Sequence, residues 1–378
     1  MHILFITNNF PPIVDGVGDY TFHLAREFVK NGHEIVVVCK ENAKIPPKVY
    51  GIEVKAIIKI WNKKAAIPII KLIGDYQISW VILQYVPHGF QRKGLPFALI
   101  SVMKQIKSTG VKIMVFCHEV AVSYIKGESI KRFFLSFLMK YVTKEILQMA
   151  DRVATNIEYY QEMINKLIPQ NESLALIPIA SNVPSSTMSK EDLFTFKHTI
   201  APNGEIIISF FGVRQIKTSL KALNNLIERG ENIKVLFIGK TILEIGEYIN
   251  YEKYYYRTGI LDLQNIDSYL LITDIFILPE SNTWGCSFKS GSLLAAFNDG
   301  IAVLSSKGLL TSEKLIDKHN ILFTDFENAV DIEEKLISLI HNAQFRKQLG
   351  IQAKLTATAF YWENIYAKYE FFLELKHK

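Results

Sequence analysis

Short apolar runs of strand length alternate with longer amphipathic segments along the whole chain, and this alternation restricts the fold more than any other feature. The runs are apolar at consecutive positions, which predicts strands buried on both faces. Such strands, separated by helices, are typical of parallel α/β sheets. The predicted strands are residues 3–7, 34–39, 81–85, 113–117, 152–155, 174–178, 206–212, 234–239, 275–279, 301–304 and 321–323. The predicted helices include residues 20–31, 129–149, 219–229 and 332–342.

The alternation runs twice, which predicts two domains. At 378 residues, the chain is longer than most proteins that fold around a single hydrophobic core. We place the first domain at residues 1–183 and the second at 184–359, with the polar stretch 182–204 as a connector. Ligands of open parallel sheets bind beyond the carboxyl ends of the strands. We therefore expect an α/β protein with two Rossmann-like domains whose strand-end loops face a central cleft.

Composition and charge exclude several classes of protein. Hydrophobic residues make up 49% of the chain and aromatic residues 12%, which indicates a globular protein. The net charge of +6 suits anionic ligands or an acidic membrane surface, and it falls short of the balance typical of nucleic-acid binding. No apolar run reaches the roughly 18 residues that a membrane-spanning helix needs. The first apolar run is also too short for a secretory signal.

The three cysteines, Cys39, Cys117 and Cys286, lie far apart without any paired spacing. This pattern argues against a disulfide framework or a zinc site. Each lies in or beside an apolar run, so we expect buried free thiols and a cytoplasmic location, at most peripheral to the inner face of a membrane.

Two strand-end loops of the first domain carry candidate binding residues. Gly16 and Gly18 precede a helix, where glycines let the backbone approach a ligand and the helix start favours an anion. A simple turn is the equal alternative. An enzyme that binds a dinucleotide is a weaker alternative. The chain lacks the glycine spacing of the dinucleotide-binding fingerprint and the acidic residue expected at the end of the next strand. His118 and Glu119 follow another strand and would reach a hydroxyl-rich substrate, unless backbone carbonyls satisfy the histidine.

The second domain carries stronger candidates, because a glycine, two cations and a helix start coincide after one strand. Gly212, Arg214 and Lys217 form this group. Arginine as a planar fork and lysine as a point charge would both hold a diphosphate, although two solvated charges are the plainer interpretation. Gly239 ends the next strand at the same edge. The loop around Ile260 is a weaker candidate for holding a flat base.

Residues 274–306 give a further phosphate-site signal. An apolar strand ends at Pro279, a small-residue turn opens a short helix, and Gly300 ends that helix before another apolar run. Backbone N–H groups at a helix start, beside a cation, bind phosphate readily. The candidate residues of this turn are Ser287, Lys289, Ser290, Gly291 and Ser292.

In their order and spacing these motifs resemble the family 4 glycosyltransferases, which are retaining enzymes of the two-domain GT-B fold that use nucleotide-sugar donors. The resemblance covers essentially the whole chain. It is carried by Asn8-Asn-Phe-Pro-Pro, Gly16-Val-Gly, Cys117-His-Glu, Ile177-Pro-Ile-Ala-Ser-Asn-Val-Pro, Phe211-Gly and Asp274-Ile-Phe-Ile-Leu-Pro. The closing segment, about residues 360–378, resembles the family's last helix, which crosses back onto the first domain.

The resemblance implies transfer of a sugar with retention at the anomeric carbon, without a cofactor or metal. It implies a donor that we expect to be a UDP-sugar, and a saccharide or lipid-linked acceptor in bacterial-type polysaccharide or glycolipid synthesis. The implied roles are catalytic for His118, Arg214 and Lys217, donor-phosphate contact for Gly16 and Gly18, and acceptor-side for Asp15 and Glu119.

One departure from the family pattern leaves an alternative function open. The family often carries a pair of glutamates at a fixed spacing, and Ser287 and Ala295 stand at those positions. Glu280 lies upstream and out of register, and Lys289 with its turn would replace the missing contacts. The alternative is a catalytically weak relative that binds nucleotide sugars as a subunit of a glycan-assembly complex.

The segment 123–149 suggests a separate hypothesis of membrane contact. A basic, aromatic helix can lie in an anionic interface, which would suit a lipid-linked acceptor. The alternative is a helix whose apolar face packs in the first domain. The residues concerned are Lys126, Lys131, Arg132, Lys140 and Lys144, with Phe133, Phe134, Leu135, Phe137, Leu138 and Met139.

Overall fold

The computed structural model describes residues 1–122, 124, 128–169, 173–212, 214–240 and 253–375. The chain forms two compact units. The first is Met1–Ile179 together with Trp362–Lys378, and the second is Ala180–Tyr361. Each unit is an α/β structure built on one largely or wholly parallel sheet, as the two-fold alternation in the sequence predicts.

The strands and helices alternate along both units. The strands are β1 (His2–Ile6), β2 (Glu34–Lys40), β3 (Lys48–Val49), β4 (Ile52–Ile58), β5 (Trp80–Tyr85), β6 (Lys112–Cys117), β7 (Arg152–Thr155), β8 (Leu174–Leu176), β9 (Ile206–Phe211), β10 (Ile233–Ile238), β11 (Tyr255–Arg257), β12 (Ile275–Leu278), β13 (Ala302–Ser305) and β14 (Leu322–Phe323). The helices are α1 (Gly16–Lys30), α2 (Ala66–Asp75), α3 (Pro87–Phe90), α4 (Phe97–Lys107), α5 (Ile130–Leu147), α6 (Glu158–Leu167), α7 (Lys190–Ile200), α8 (Lys217–Glu228), α9 (Leu263–Leu271), α10 (Gly291–Asn298), α11 (Ala329–His341), α12 (Ala343–Ala357) and α13 (Trp362–Leu373).

The first unit has an eight-stranded sheet in the order β3-β4-β2-β1-β5-β6-β7-β8. All neighbouring strands are parallel except β3, which runs antiparallel to β4. The central strand β5 is buried at every position, as its consecutive apolar residues require. Strands β3 and β4 were not predicted from the sequence, whereas the other six strands of this sheet were.

The closing helix α13 packs on α1 of the first unit. The hydroxyl groups of Tyr20 and Tyr369 lie 3.1 Å apart in the core, and Nε2 of His33 lies 2.9 Å from the Tyr366 hydroxyl. The Tyr366 ring also meets Phe28 edge to face, with centroids 5.1 Å apart. Polar and aromatic contacts together therefore hold the end of the chain against its beginning.

The second unit has a six-stranded, wholly parallel sheet in the order β11-β10-β9-β12-β13-β14. The stretch predicted as a polar connector belongs to this unit and contains α7. Nζ of Lys197 on α7 donates to both oxygens of Asp274 at 2.7 and 2.8 Å. Asp274 also accepts from the backbone N–H of Ile207 at 2.9 Å. One carboxylate thus joins α7 to the start of β9.

All three cysteines are free and buried, which confirms the predicted buried thiols. Burial raises the pKa of Cys39 and that of Cys286 to about 12. Among the helices that the structure describes, none combines the length and the apolar character that crossing a membrane would take.

Candidate active site

The loops that follow the strands of the second unit share one edge of its sheet, because all its strands are parallel. Strand β9 ends at Phe211 and is followed by Gly212, whose φ of +80° lies in the left-handed region that favours glycine. This turn leads to Arg214 and then to Lys217, the first residue of α8. The predicted glycine, cations and helix start are therefore all present at the carboxyl edge.

A cavity of about 520 Å³ opens among these loops. Its volume lies in the usual range for small-molecule sites. It brings both predicted diphosphate cations together with Glu280, which the sequence had placed out of register. The lining residues are Arg214, Gln215, Lys217, Thr218, Pro279, Glu280, Ser281, Asn282, Phe326 and Glu327.

Arg214 and Glu280 form an ion pair in the wall of this cavity. Nη1 of Arg214 donates to Oε1 of Glu280 at 2.6 Å, and the two side chains are 24% and 29% exposed. The hydroxyl of Ser306 donates to the backbone carbonyl of Glu280 at 3.0 Å, which holds the acidic residue in place. An arginine has five N–H donors, so Arg214 can keep Glu280 and still donate to a phosphate oxygen.

The predicted phosphate turn, residues 287–292, is not part of the lining of this cavity. Ser290 caps α10 by accepting from the backbone N–H of Leu293 at 3.4 Å, so the predicted helix start is present. Ser287 and Ala295, at the positions of the family's glutamates, are both buried. Lys289 and the small residues after it are half-buried.

The loop predicted to hold a base meets the end of β10. The hydroxyl of Thr258 accepts from the backbone N–H of Gly239 at 2.9 Å, and Gly239 pairs with Gly259 in an isolated antiparallel bridge. Ile260, next along the chain, is 84% exposed. The structure thus places an accessible apolar side chain at the carboxyl edge, where a flat ring can lie against it.

In the first unit, Asp15 caps the helix that follows β1. Its Oδ1 accepts from the backbone N–H groups of Val17 at 2.8 Å and Gly18 at 3.0 Å, and Nδ2 of Asn9 donates to Oδ2 at 2.7 Å. The backbone N–H groups at this helix start, which were predicted to bind an anion, therefore already donate to a carboxylate. Asp15, predicted on the acceptor side, has this structural role as well.

The two glycines of this turn differ in what surrounds them. A Cβ on Gly18 would lie 2.8 Å from the backbone oxygen of Asn9, so glycine is required for the helix start to pack on the preceding loop. A Cβ on Gly16 would have no atom within 4 Å. Gly16 is exposed and leaves open space at the helix start.

His118 is held by its neighbours on the central strands. Its backbone N–H donates to the carbonyl of Tyr85 at 2.9 Å, and its Nε2 lies 2.7 Å from Oε1 of Gln84. An amide oxygen only accepts, so Nε2 carries the proton and Nδ1 is the acceptor of the neutral ring. Burial lowers the pKa of His118 to about 3, although the charge of Asp15 opposes this shift. Glu119 is half-buried next to it.

Sequence reasoning missed Asp19, in the first turn of α1. Burial, and secondarily the charge of Asp15, raises the pKa of Asp19 to about 6. The signal available in the sequence was a pair of aspartates one helical turn apart around Gly16-Val-Gly. Gln84 was also missed, although it is the one uncharged amide in an otherwise apolar and aromatic strand.

In the described part of the chain, no group of three or more His, Cys, Asp or Glu side chains is arranged to hold a metal ion.

Several solved structures share this fold over nearly the whole chain. The structure resembles sucrose-phosphate synthase from Thermosynechococcus elongatus, with a TM-score of 0.73, 13% identity, and coverage of 99% of this chain and 98% of that one. It resembles Anabaena HepE in complex with UDP, with a TM-score of 0.72, 12% identity, and coverage of 99% and 100%. It also resembles WaaG, a glycosyltransferase involved in lipopolysaccharide biosynthesis, with a TM-score of 0.68, 11% identity, and coverage of 97% and 98%. The fold is therefore GT-B, as predicted.

Residues 14–180 match the family described as Glycosyltransferase Family 4. This match supports the resemblance to the family 4 glycosyltransferases that the sequence shows. Comparison with curated proteins gives no significant match.

Proposed function

We propose that this protein transfers a sugar from a UDP-sugar to a saccharide or lipid-linked acceptor, with retention at the anomeric carbon and without a metal cofactor. The observation that carries the proposal is the cavity of the second unit, where Arg214, Lys217 and Glu280 meet at the carboxyl edge of a parallel sheet. The structurally similar HepE has been solved with UDP and with UDP-glucose, which supports uridine as the base. We place the activity in the cytoplasm, in polysaccharide or glycolipid synthesis of the bacterial type.

The two cations explain how a diphosphate would leave without a metal. Negative charge develops on the diphosphate as the bond to the sugar breaks, and cations already in position stabilise that charge. Arg214 is oriented by its ion pair, and Lys217 opens α8, whose N-terminus adds a positive partial charge. Together they supply the positive charge that a divalent ion supplies in other transferases.

Glu280 and His118 are assigned to the donor sugar. Glu280 lies near the start of the loop after β12 and lines the cavity, so it would accept from sugar hydroxyl groups in place of the acidic residue absent at Ser287. His118 is neutral, and its Nδ1 would accept from another hydroxyl group. Both are acceptors of hydrogen bonds, which suits a ligand rich in hydroxyl donors.

A panel of nucleotides tests the choice of donor. We expect UDP and UDP-glucose to raise the melting temperature more than GDP, ADP or uridine, because a ligand that binds only the folded state stabilises it. At a ligand concentration about 100 times Kd the stabilisation is about 2.7 kcal/mol, roughly 5–10 °C for a unit of this size. Uridine controls for the base alone. A larger shift with GDP or ADP would assign another base, and no shift with any diphosphate would contradict the proposal.

A binding subunit without turnover is the second candidate function. It is favoured by the absence of a carboxylate at Ser287 and Ala295, both of which are buried. Incubating the purified protein with UDP-glucose separates the two functions. Release of UDP, alone or with an added saccharide acceptor, supports the transferase, whereas tight binding without any release supports the subunit.

The pKa of Asp19 predicts a pH dependence of donor binding. Asp19 is protonated below about pH 6 and ionised above it. We propose, as the family resemblance implies, that Gly16 and Gly18 approach the donor phosphates, so the carboxylate formed above pH 6 repels them. We expect the Kd for UDP-glucose to rise roughly 3- to 10-fold between pH 5 and 7.5, as about 1 kcal/mol of repulsion gives. Isothermal titration measures this, and UDP-glucose is used because its diphosphate, unlike the terminal phosphate of UDP, does not titrate in this range.

Asp19→Asn provides the control for this prediction. The variant should bind UDP-glucose with the same Kd at both pH values, because its amide stays neutral. If the Kd of Asp19→Asn still rises with pH, a group other than Asp19 causes the pH dependence.

A further inference from the structure

Helix α5 of the first unit exposes a continuous apolar stripe, which we call the aromatic face. Its members are 37% to 71% exposed. They recur at the spacing that puts side chains on one side of a helix. The aromatic face consists of Ile130, Phe133, Phe134, Phe137, Leu138 and Tyr141.

The opposite side of the same helix already packs in the core. Its buried residues are Ser136, Met139, Val142, Thr143, Ile146 and Leu147. The hydroxyl of Thr143 donates to the carbonyl of Val120 at 2.8 Å and lies 3.1 Å from the hydroxyl of Tyr85. The packing alternative raised by the sequence therefore accounts for one side of α5 and leaves the aromatic face unexplained.

Basic side chains border the aromatic face. Lys131 and Lys140 lie on its two flanks by helical position, and the exposed Lys144 extends it by one turn. Arg132 is exposed and pairs with Glu128 at 3.1 Å. Within α5 four basic residues stand against one acidic residue, Glu145, so the helix carries a net charge of +3. Lys126 lies outside the described residues.

We propose that the aromatic face docks this protein on an anionic lipid bilayer, with α5 lying in the plane of the interface. Rings between flanking lysines match an interfacial helix, whose apolar side enters the headgroup boundary while its cations meet lipid phosphates. A symmetric dimer through this face fits less well, because it would bring the same lysines of two copies together. The proposal concerns a surface distinct from the donor cavity and does not depend on the transfer reaction.

Vesicle flotation of the full-length chain tests this surface. We expect the protein to float with vesicles of equal phosphatidylglycerol and phosphatidylcholine at low salt, and to float poorly with phosphatidylcholine alone. Phe134→Ser combined with Phe137→Ser should weaken binding at least 10-fold, because two exposed rings no longer enter the interface. Lys140→Gln combined with Lys144→Gln should weaken it roughly 5-fold per lysine, which is the usual contribution of a basic residue near an anionic surface.

A matched control uses exposed phenylalanines elsewhere. Phe194 and Phe371 are 76% and 86% exposed, on α7 and α13. Replacing both by serine should leave flotation unchanged. The proposal is overturned if the wild-type chain stays unbound at low salt, or if the α5 variants float as it does. It is also overturned if the chain is a dimer that Phe134→Ser with Phe137→Ser converts to a monomer. A UDP-induced melting shift, measured separately on each variant, reports folding and donor binding.

Discussion

Replacing Arg214 and Lys217 together by alanine is expected to lower kcat/KM for sugar transfer by at least 1,000-fold, since removal of one group that stabilises developing charge commonly lowers the rate 100- to 1,000-fold. Both side chains line the cavity of the second unit, and Arg214 is held there by Glu280. The rate should fall further than UDP affinity, because charge on the diphosphate grows as the bond breaks. Steady-state kinetics and UDP titration on the same preparations measure the two effects.

The single variants separate charge from geometry. Arg214→Lys keeps a positive charge and loses the planar fork, so partial activity would assign part of the effect to the fork. Arg214→Ala leaves the Glu280 carboxylate unpaired near the phosphates, and adding Glu280→Gln removes that repulsion. If Arg214→Ala with Glu280→Gln restores UDP affinity but not turnover, the arginine acts mainly in the transition state.

Two further lysines, Lys289 and Lys221, provide a second test of the site and its control. Lys289→Ala should also weaken UDP binding, but less than Arg214→Ala, because Lys289 is not in the cavity lining. Lys221→Ala is the matched control, since Lys221 is exposed on the same helix as Lys217, about one turn further on. Wild-type UDP affinity in both Arg214→Ala and Lys289→Ala would remove the assigned site.

The sequence predicts strands best where both faces are buried. Strand β5 reads as an apolar run and is buried throughout, so its start and end are predicted within one residue. Strand β4 alternates Ile52 and Val54 with Glu53 and Lys55 and is only partly buried. A search for continuous apolar runs misses such a strand. Strands β3 and β11 are two and three residues long, too short to show any period.

The site is predictable to the extent that topology alone decides it. Arg214 and Lys217 were found because a parallel sheet puts every strand end at one edge, whatever the details of packing. The pairing of Arg214 with Glu280 depends on how two loops distant in sequence fold together, which no local pattern encodes. The pKa of Asp19 likewise depends on burial, and the proton on Nε2 of His118 depends on Gln84 of a neighbouring strand.

The two loops that support the site meet at a pair of glycines, and this contact is the second place where a large effect is expected. A Cβ on Gly308 would lie 2.4 Å from the backbone N of Gly285, and a Cβ on Gly285 would lie 2.2 Å from the backbone N of Gly308. Backbone hydrogen bonds hold these loops together on both sides of the contact. They are Cys286 N–H to Ser306 O at 3.0 Å, Leu309 N–H to Thr283 O at 3.0 Å and Leu310 N–H to Trp284 O at 2.8 Å.

We expect Gly308→Ala to destabilise the second unit by about 2–4 kcal/mol, because the neighbouring atoms are backbone and the loops must separate. The melting temperature should fall by roughly 5–10 °C. Gly285→Ala should do at least as much, since its φ of +67° adds strain. Gly291→Ala is the control, because its Cβ would have no atom within 4 Å. Both loops position Glu280 and Ser287, so UDP affinity should fall in Gly308→Ala even at temperatures where it stays folded. If Gly308→Ala and Gly291→Ala had the same melting temperature, this close contact would be contradicted.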